Sequence, residues 1–192
     1  KDIARKFLVK EESVKRARAV LEGEESYDKD LWSQVAEMGF TATAIPEEYG
    51  GLGLGYLELC VIAEELGRSL APTPFSSSVY LATESILQFG SDSVKQANLP
   101  SLASGEKIGA FAHAESTTSP SEENITCAFK DGSLSGSKIA VTDGDVADFL
   151  IVSAKSGSEV GLFLVESSAD GVEITNRGSS RQQIDFLGSN TS

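Results

Sequence analysis

The chain has 192 residues, 40% of them hydrophobic and 23% charged, the composition of an ordinary globular chain able to bury roughly 70% of the surface it exposes when unfolded. Its 16 Lys+Arg against 29 Asp+Glu give a net charge of −13, which argues against nucleic acid and anionic membrane as partners, because both select a basic face. A small anionic ligand needs only a local cluster of donors and is not excluded. Cys60 and Cys127 lie far apart in sequence and a single histidine cannot supplement them, so no metal site is expected. Both cysteines read as buried free thiols of a reducing, cytoplasmic compartment. No apolar run approaches the ~20 residues of a membrane helix. The charged start has no signal-peptide core and no initiator Met, so the true start is expected upstream.

Up to about residue 107 the apolar period is helical. Ile3, Phe7 and Leu8, then Val14, Ala17 and Leu21, form stripes in two basic stretches. In "SYDKDLWSQVAEMGF" either Asp28 or Asp30 is a candidate N-cap. Leu31, Val35 and Met38 form the inner stripe, Trp32 is core and Gly39 the stop. Gly50, Gly51, Gly53 and Gly55 mark a tight turn where backbone comes close to something, with Tyr49 as packing. They do not form a GxGxxG after a strand, so a dinucleotide fold is a poor fit. "YLELCVIAEELG" is predicted as a helix ended by Gly67, with Glu64 and Glu65 beside Arg68 on a solvated end. "SSSVYLATESILQFG" is a helix ended by Gly90, and in "SDSVKQANLPSLASGE" Pro100 is placed to open a second short helix.

Past residue 107 the period becomes two. "KIGAFAHA", "ITCAFK", "SLSGSKIAVT", "ADFLIVSAK", "VGLFLVE", "GVEIT" and "RQQIDFL" are short strands separated by turn residues such as Asp131-Gly132 and Asp143-Gly144. The expected class is α+β: an all-α domain over residues 1–107, then an antiparallel β-barrel or sandwich over residues 108–192.

The loop "GAFAHAESTTSPSEEN" holds the only histidine, His113, beside Glu115 and Ser116. A hydrolase triad is a poor reading, because neighbours on a strand alternate faces and triads draw their members from separate parts of a fold. Arg177 and Arg181 could meet an anionic ligand, but two basic residues at a strand–loop junction are most simply surface residues.

Taken together, "IPEEYGGLGLG", "AEELGR", "LPSLASGEKIGAFAHAE" and "GSKIAVTDGDVADFLIVSAK" resemble, in this order and over almost the whole chain, the acyl-CoA dehydrogenase family. The resemblance implies FAD as cofactor and an acyl-CoA substrate oxidised across its Cα–Cβ bond. It implies a helical domain, a β-barrel and a C-terminal helical domain, assembled with homologous subunits as homo- or hetero-oligomers. The catalytic carboxylate would come from the C-terminal domain, beyond the end of this chain, so no catalytic residue is expected here. In the family a TEPxxGSD-like loop follows the first strand, and its threonine and backbone amides hold the flavin ring. Here Glu115 keeps its place, Ala114 replaces the threonine and the GSD segment is gone. The second flavin strand, roughly GxKxWITNG in the family, reads Gly136 to Gly144, with Thr142 retained and Ala140 in place of tryptophan. Phe111, His113, Ala114 and Thr142 are therefore the expected cofactor-binding positions, with Thr142 placed to donate to flavin N5. Weak or absent FAD binding is the corresponding expectation. The alternative is a non-catalytic structural subunit of a heteromeric acyl-CoA dehydrogenase.

Overall fold

The computed structural model describes residues 1–23, 25–117, 121–176 and 181–190, with backbone alone at residues 176, 181, 182 and 187–190. Among the described residues, six α-helices precede seven strands. The helices are α1 (Asp2–Lys10), α2 (Ser13–Glu22), α3 (Lys29–Glu37), α4 (Tyr56–Arg68), α5 (Glu84–Phe89) and α6 (Asp92–Ala103). A π-helical segment, Ser76–Thr83, runs straight into α5. No helix among the described residues is long and apolar enough to cross a membrane.

Local chemistry accounts for most of these boundaries. Asp28 caps α3 by accepting the Leu31 N–H at 2.8 Å. Gly39 follows that helix with a φ of +74°, the left-handed geometry favoured at a helix end. Leu31, Trp32 and Val35 are buried, while Met38 falls outside the buried stripe, at the helix end. Helix α4 runs through Gly67 to Arg68, so Gly67 does not end it. Pro100 lies inside a single helix: the burial of Leu99, Leu102 and Ala103 around it outweighs the one backbone bond that proline removes. In the glycine turn, a Cβ on Gly51 would sit 1.9 Å from the Ile45 carbonyl oxygen, so only glycine lets the chain double back there.

Three further expectations about the helical half are overturned. Ile3, Val14 and Leu21 are exposed, because α1 and α2 lie at the edge of the molecule and bury only Ala4, Leu8 and Ser13. Glu65 is fully buried, not solvated; it takes a two-pronged ion pair from Arg5, at 2.6 and 2.9 Å, that ties α1 to α4. Cys60 is exposed, whereas Cys127 is buried as expected.

The strands are β1 (Gly109–Ala112), β2 (Ala128–Lys130), β3 (Ser133–Thr142), β4 (Phe149–Ser156), β5 (Glu159–Glu166), β6 (Val172–Asn176) and β7 (Arg181–Asn190). They form one sheet in the order β1-β4-β2-β3-β7-β6, with β5 on the other edge of β4. The sheet is mixed, not antiparallel as expected: β1 runs parallel to β4 from Gly109↔Phe149 to Ala112↔Val152, and β2 meets β4 in parallel at Ala128↔Lys155. The reason is connectivity. The β2–β3 hairpin lies between β1 and β4 in sequence and serves as the long crossover that parallel neighbours need. Alternation of apolar residues reports faces, not strand direction.

The last helix ends at Ala103 and the first strand begins at Gly109. The two halves share their core: Phe149 and Ile151 of β4 pack with Ala82, Ile86, Leu99 and Leu102. Polar contacts seat the π-helical segment on the sheet. Ser78 Oγ accepts the Gly109 N–H, and the Ser77 hydroxyl donates to Asp143 at 2.7 Å.

Candidate functional site

The end of β1 and the middle of β3 meet through backbone. The Ile139 N–H donates to the Ala114 carbonyl at 2.7 Å. Next to this bond β3 carries a bulge between Lys138 and Val141 in its pairing with β7. The bulge shifts the alternation by one residue: Leu134 and Lys138 point inward, and so does Val141. Ala140 is thereby turned outward, exposed, with a φ of +54°.

Beneath this edge lies a knot of polar groups built around Lys138, whose side chain is 0% exposed. Its ammonium donates to the Glu115 carboxylate (2.6 Å), the His113 carbonyl (3.1 Å) and the Ser153 hydroxyl (3.2 Å). These three bonds use all three ammonium protons. Glu115 also accepts the Thr126 N–H (2.7 Å), the Thr126 hydroxyl and the Cys127 N–H (3.0 Å). With four donors on its two oxygens the carboxylate is filled. Burial pushes the Glu115 carboxyl up, but donation from Lys138, Thr126 and Cys127 outweighs it and holds the group at about 2. A carboxylate so engaged is a structural anchor and not a base for an external proton.

His113 Nδ1 lies 2.8 Å from Ser153 Oγ. This is the one serine–histidine contact of the knot, and its serine comes from β4, not from the neighbouring loop. Ser153 is 1% exposed and already bonded to Lys138, so no acyl group can reach it. Burial also raises the Cys127 thiol, with Lys138 pulling it partly back, which leaves it a poor nucleophile.

Of the expected cofactor positions, Ala114 lies past the end of β1, in the segment that the Ile139–Ala114 bond joins to β3, and Thr142 lies on β3 just past the bulge. Both are partly exposed. Phe111 faces the other way, packed on the helices with Ile151 and Leu102, its ring 5.9 Å from the His113 ring and stacked on it. His113 turns its ring to Ser153. The four are therefore split: Phe111 and His113 brace the edge from inside, while Ala114 and Thr142 line it. Arg177 lies outside the described residues, and of Arg181 only the strand backbone is described. Lys138, Ser153 and Thr126 were missed as members. The legible signal was a lysine at an inward position of an apolar strand, where burial demands a partner.

The description "Acyl-CoA dehydrogenase, N-terminal domain" belongs to the family model that matches residues 1–106. The chain belongs to the acyl-CoA dehydrogenase family. It is 33% identical to the mitochondrial isovaleryl-CoA dehydrogenase of Arabidopsis thaliana over 84% of this chain and 41% of that protein. Its structure is similar to a ChsE4–ChsE5 complex from Mycobacterium tuberculosis, with a TM-score of 0.84 and 29% identity over 96% of this chain and 52% of that one. Butyryl-CoA dehydrogenase from Megasphaera elsdenii gives a TM-score of 0.84 at 25% identity over 100% of this chain and 55% of that one. The chain thus spans about half the length, or less, of the proteins it is compared with.

The exposed edge between the segments that the Ile139–Ala114 bond joins is free of bulk. Ala140, turned outward by the bulge, leaves the surface beside Thr142 without a bulky side chain, and Ser116 and Thr117 are exposed at the other end. An edge of small side chains, hydroxyls and backbone accommodates one face of a planar group.

Proposed function

We propose that this chain contributes the helical and β-sheet portions of an FAD-dependent dehydrogenase acting on an acyl-CoA thioester. The observation that carries this reading is the 2.7 Å bond from Ile139 N to Ala114 O, which joins the two segments that resemble the family's flavin strands. Thr142 would hold the ring by its hydroxyl, and backbone amides after Ala114 would hold it by donation. When bound, the flavin supplies hydride acceptance from the substrate Cβ. This chain's own residues bind and orient: the filled Glu115–Lys138 pair fixes the path of residues 113–115, so that the backbone groups aimed outward do not have to be ordered on binding. No carboxylate of the knot is free to take an α-proton, so proton removal falls to a group outside it.

A second reading, a non-catalytic subunit that pairs with an active homologue, is favoured by Ala114 and Ala140 standing where the family pattern has threonine and tryptophan. The similarity to a chain of a ChsE4–ChsE5 complex supports a partner subunit. The experiment is to add excess FAD to the purified chain, remove free ligand and read the visible spectrum. A stoichiometric yellow complex supports the flavoenzyme reading; a colourless protein supports the second. Under the flavoenzyme reading, Ala114→Thr with Ala140→Trp is expected to tighten FAD binding by roughly ten- to a hundredfold, one hydroxyl donor and one aromatic wall each contributing about 0.5–1.5 kcal/mol. Unchanged affinity in that double variant would count against a flavin on this edge.

A further inference from the structure

A cleft of about 550 Å³ opens between α1, the start of α2 and the C-terminal end of α4, far in sequence from the β1–β3 edge. Its apolar wall is Leu8, Val9 and Val14, and its polar wall is mostly cationic. Two of its cations are already neutralised: Arg5 by Glu65, and Lys15 by Glu12, the one acid that lines the cleft. Arg18 and Arg68 make no ion pair or hydrogen bond among the described residues and are exposed.

Ser13 supplies an independent pointer. It is 2% exposed, lines the cleft, and its hydroxyl has no hydrogen-bond partner among the described residues. A buried hydroxyl is nearly always paired, so an orphan beside free cations marks a place where a ligand atom would complete it. Ser13 is also the first residue of α2, a ten-residue helix, and its N-cap residue Glu12 gives no side-chain cap. The uncapped amides at that end favour negative charge. The surroundings agree: seven of the chain's 16 basic residues fall within the first 18 positions, against three acids. Five of these seven are paired with acids, Glu64, Glu65 and Asp28 among them, which leaves Lys6 and Arg18 with no ion pair among the described residues.

We propose that this cleft binds an amphipathic anion: a carboxylate or phosphate head held by Arg18, Arg68 and Ser13, and an apolar body laid on Leu8, Val9 and Val14. Guanidinium groups suit such heads because they present paired donors to a planar or tetrahedral oxyanion. A cleft of this volume suits a ligand of small-molecule size. The proposal is independent of the flavin reading.

The test is calorimetric titration of the full chain with three probes: sodium decanoate, decyl phosphate and inorganic phosphate. At least one of the two amphiphiles is expected to bind saturably, one per chain, and the tighter one names the head. Inorganic phosphate is expected to bind at least about tenfold more weakly, for want of apolar contact. R18Q/R68Q is expected to weaken amphiphile binding about tenfold or more, and Ser13→Ala to weaken it severalfold. Both variants should keep the circular dichroism spectrum, since none of the three side chains makes a hydrogen bond or ion pair among the described residues. Three outcomes would overturn the proposal: no saturable binding of either amphiphile, inorganic phosphate binding as tightly as both, or affinities unchanged in R18Q/R68Q.

Discussion

Glu115 carries more in the fold than its place in a motif shows. In the sequence it is the surviving letter of a motif; in the structure it is the acceptor for four donors around a buried lysine. Its carboxyl is held at about 2 instead of its ordinary 4.5, a displacement equivalent to roughly 3 kcal/mol. Because the folded state depresses this group, the stabilisation is complete above about pH 4.5 and is lost as pH falls through the folded value near 2. Glu115→Gln is therefore expected to destabilise the protein at pH 7 by about 3 kcal/mol or more, since it strands the buried Lys138 charge. Urea unfolding at pH 7 and pH 3 should show the gap narrowing at the lower pH. Adding Lys138→Met to Glu115→Gln should recover part of the loss, because the orphan charge is removed. A double variant as weak as the single would mean that Lys138 is not the stranded group.

Asp143 behaves in the opposite sense. Burial pushes its carboxyl up, the Ser77 hydroxyl pulls it partly back, and Asp145 adds to the rise. A carboxyl raised in the folded state costs stability where it must be ionised; the cost shrinks as pH falls below the folded value and is gone below the ordinary 3.8. Asp143→Asn keeps an acceptor for Ser77 and suits the φ of +54° at this position. It is expected to raise the melting temperature by roughly 2–4 °C at pH 7. Little or no gain is expected at pH 3, which differential scanning calorimetry can read.

At the scale of elements, α1 is held less by its apolar stripe than by one ion pair. Only Ala4 and Leu8 of the helix are buried. Arg5 reaches Glu65 of α4 with two bonds, and Lys1 pairs with Glu64. Hydrogen bonding from Arg5 in turn keeps the Glu65 carboxyl below the usual carboxylate range. Arg5→Met is expected to speed amide exchange in α1 by about tenfold or more while leaving β4 unchanged, as for an element that opens locally. Equal acceleration in β4 would show that the pair supports the whole fold instead.

For the molecule as a whole, the apolar surface is uneven. Phe89 is 76% exposed and shares a groove with Ile86, Val94, Leu162 and Leu164 at the junction of the helices with β4 and β5. Contiguous apolar surface of this kind favours association. Sedimentation velocity is expected to show a concentration-dependent shift to dimers or larger species, reduced in Phe89→Ser. A monomer at all concentrations would refute it.

Much of this protein was determined by local sequence. The helical period and the Asp28 cap define where α3 begins, and two-residue alternation marks each strand, because solvent and core select side chains face by face. Only the tertiary structure decided the rest. It made the sheet mixed, since alternation carries no strand direction. It buried Glu65 against Arg5, a partner 60 residues away. It turned Ala140 outward through a bulge that no residue type announces. It gathered Glu115, Thr126, Lys138 and Ser153 from four segments into one knot, because a buried charge is tolerable only where the fold brings its partners to it.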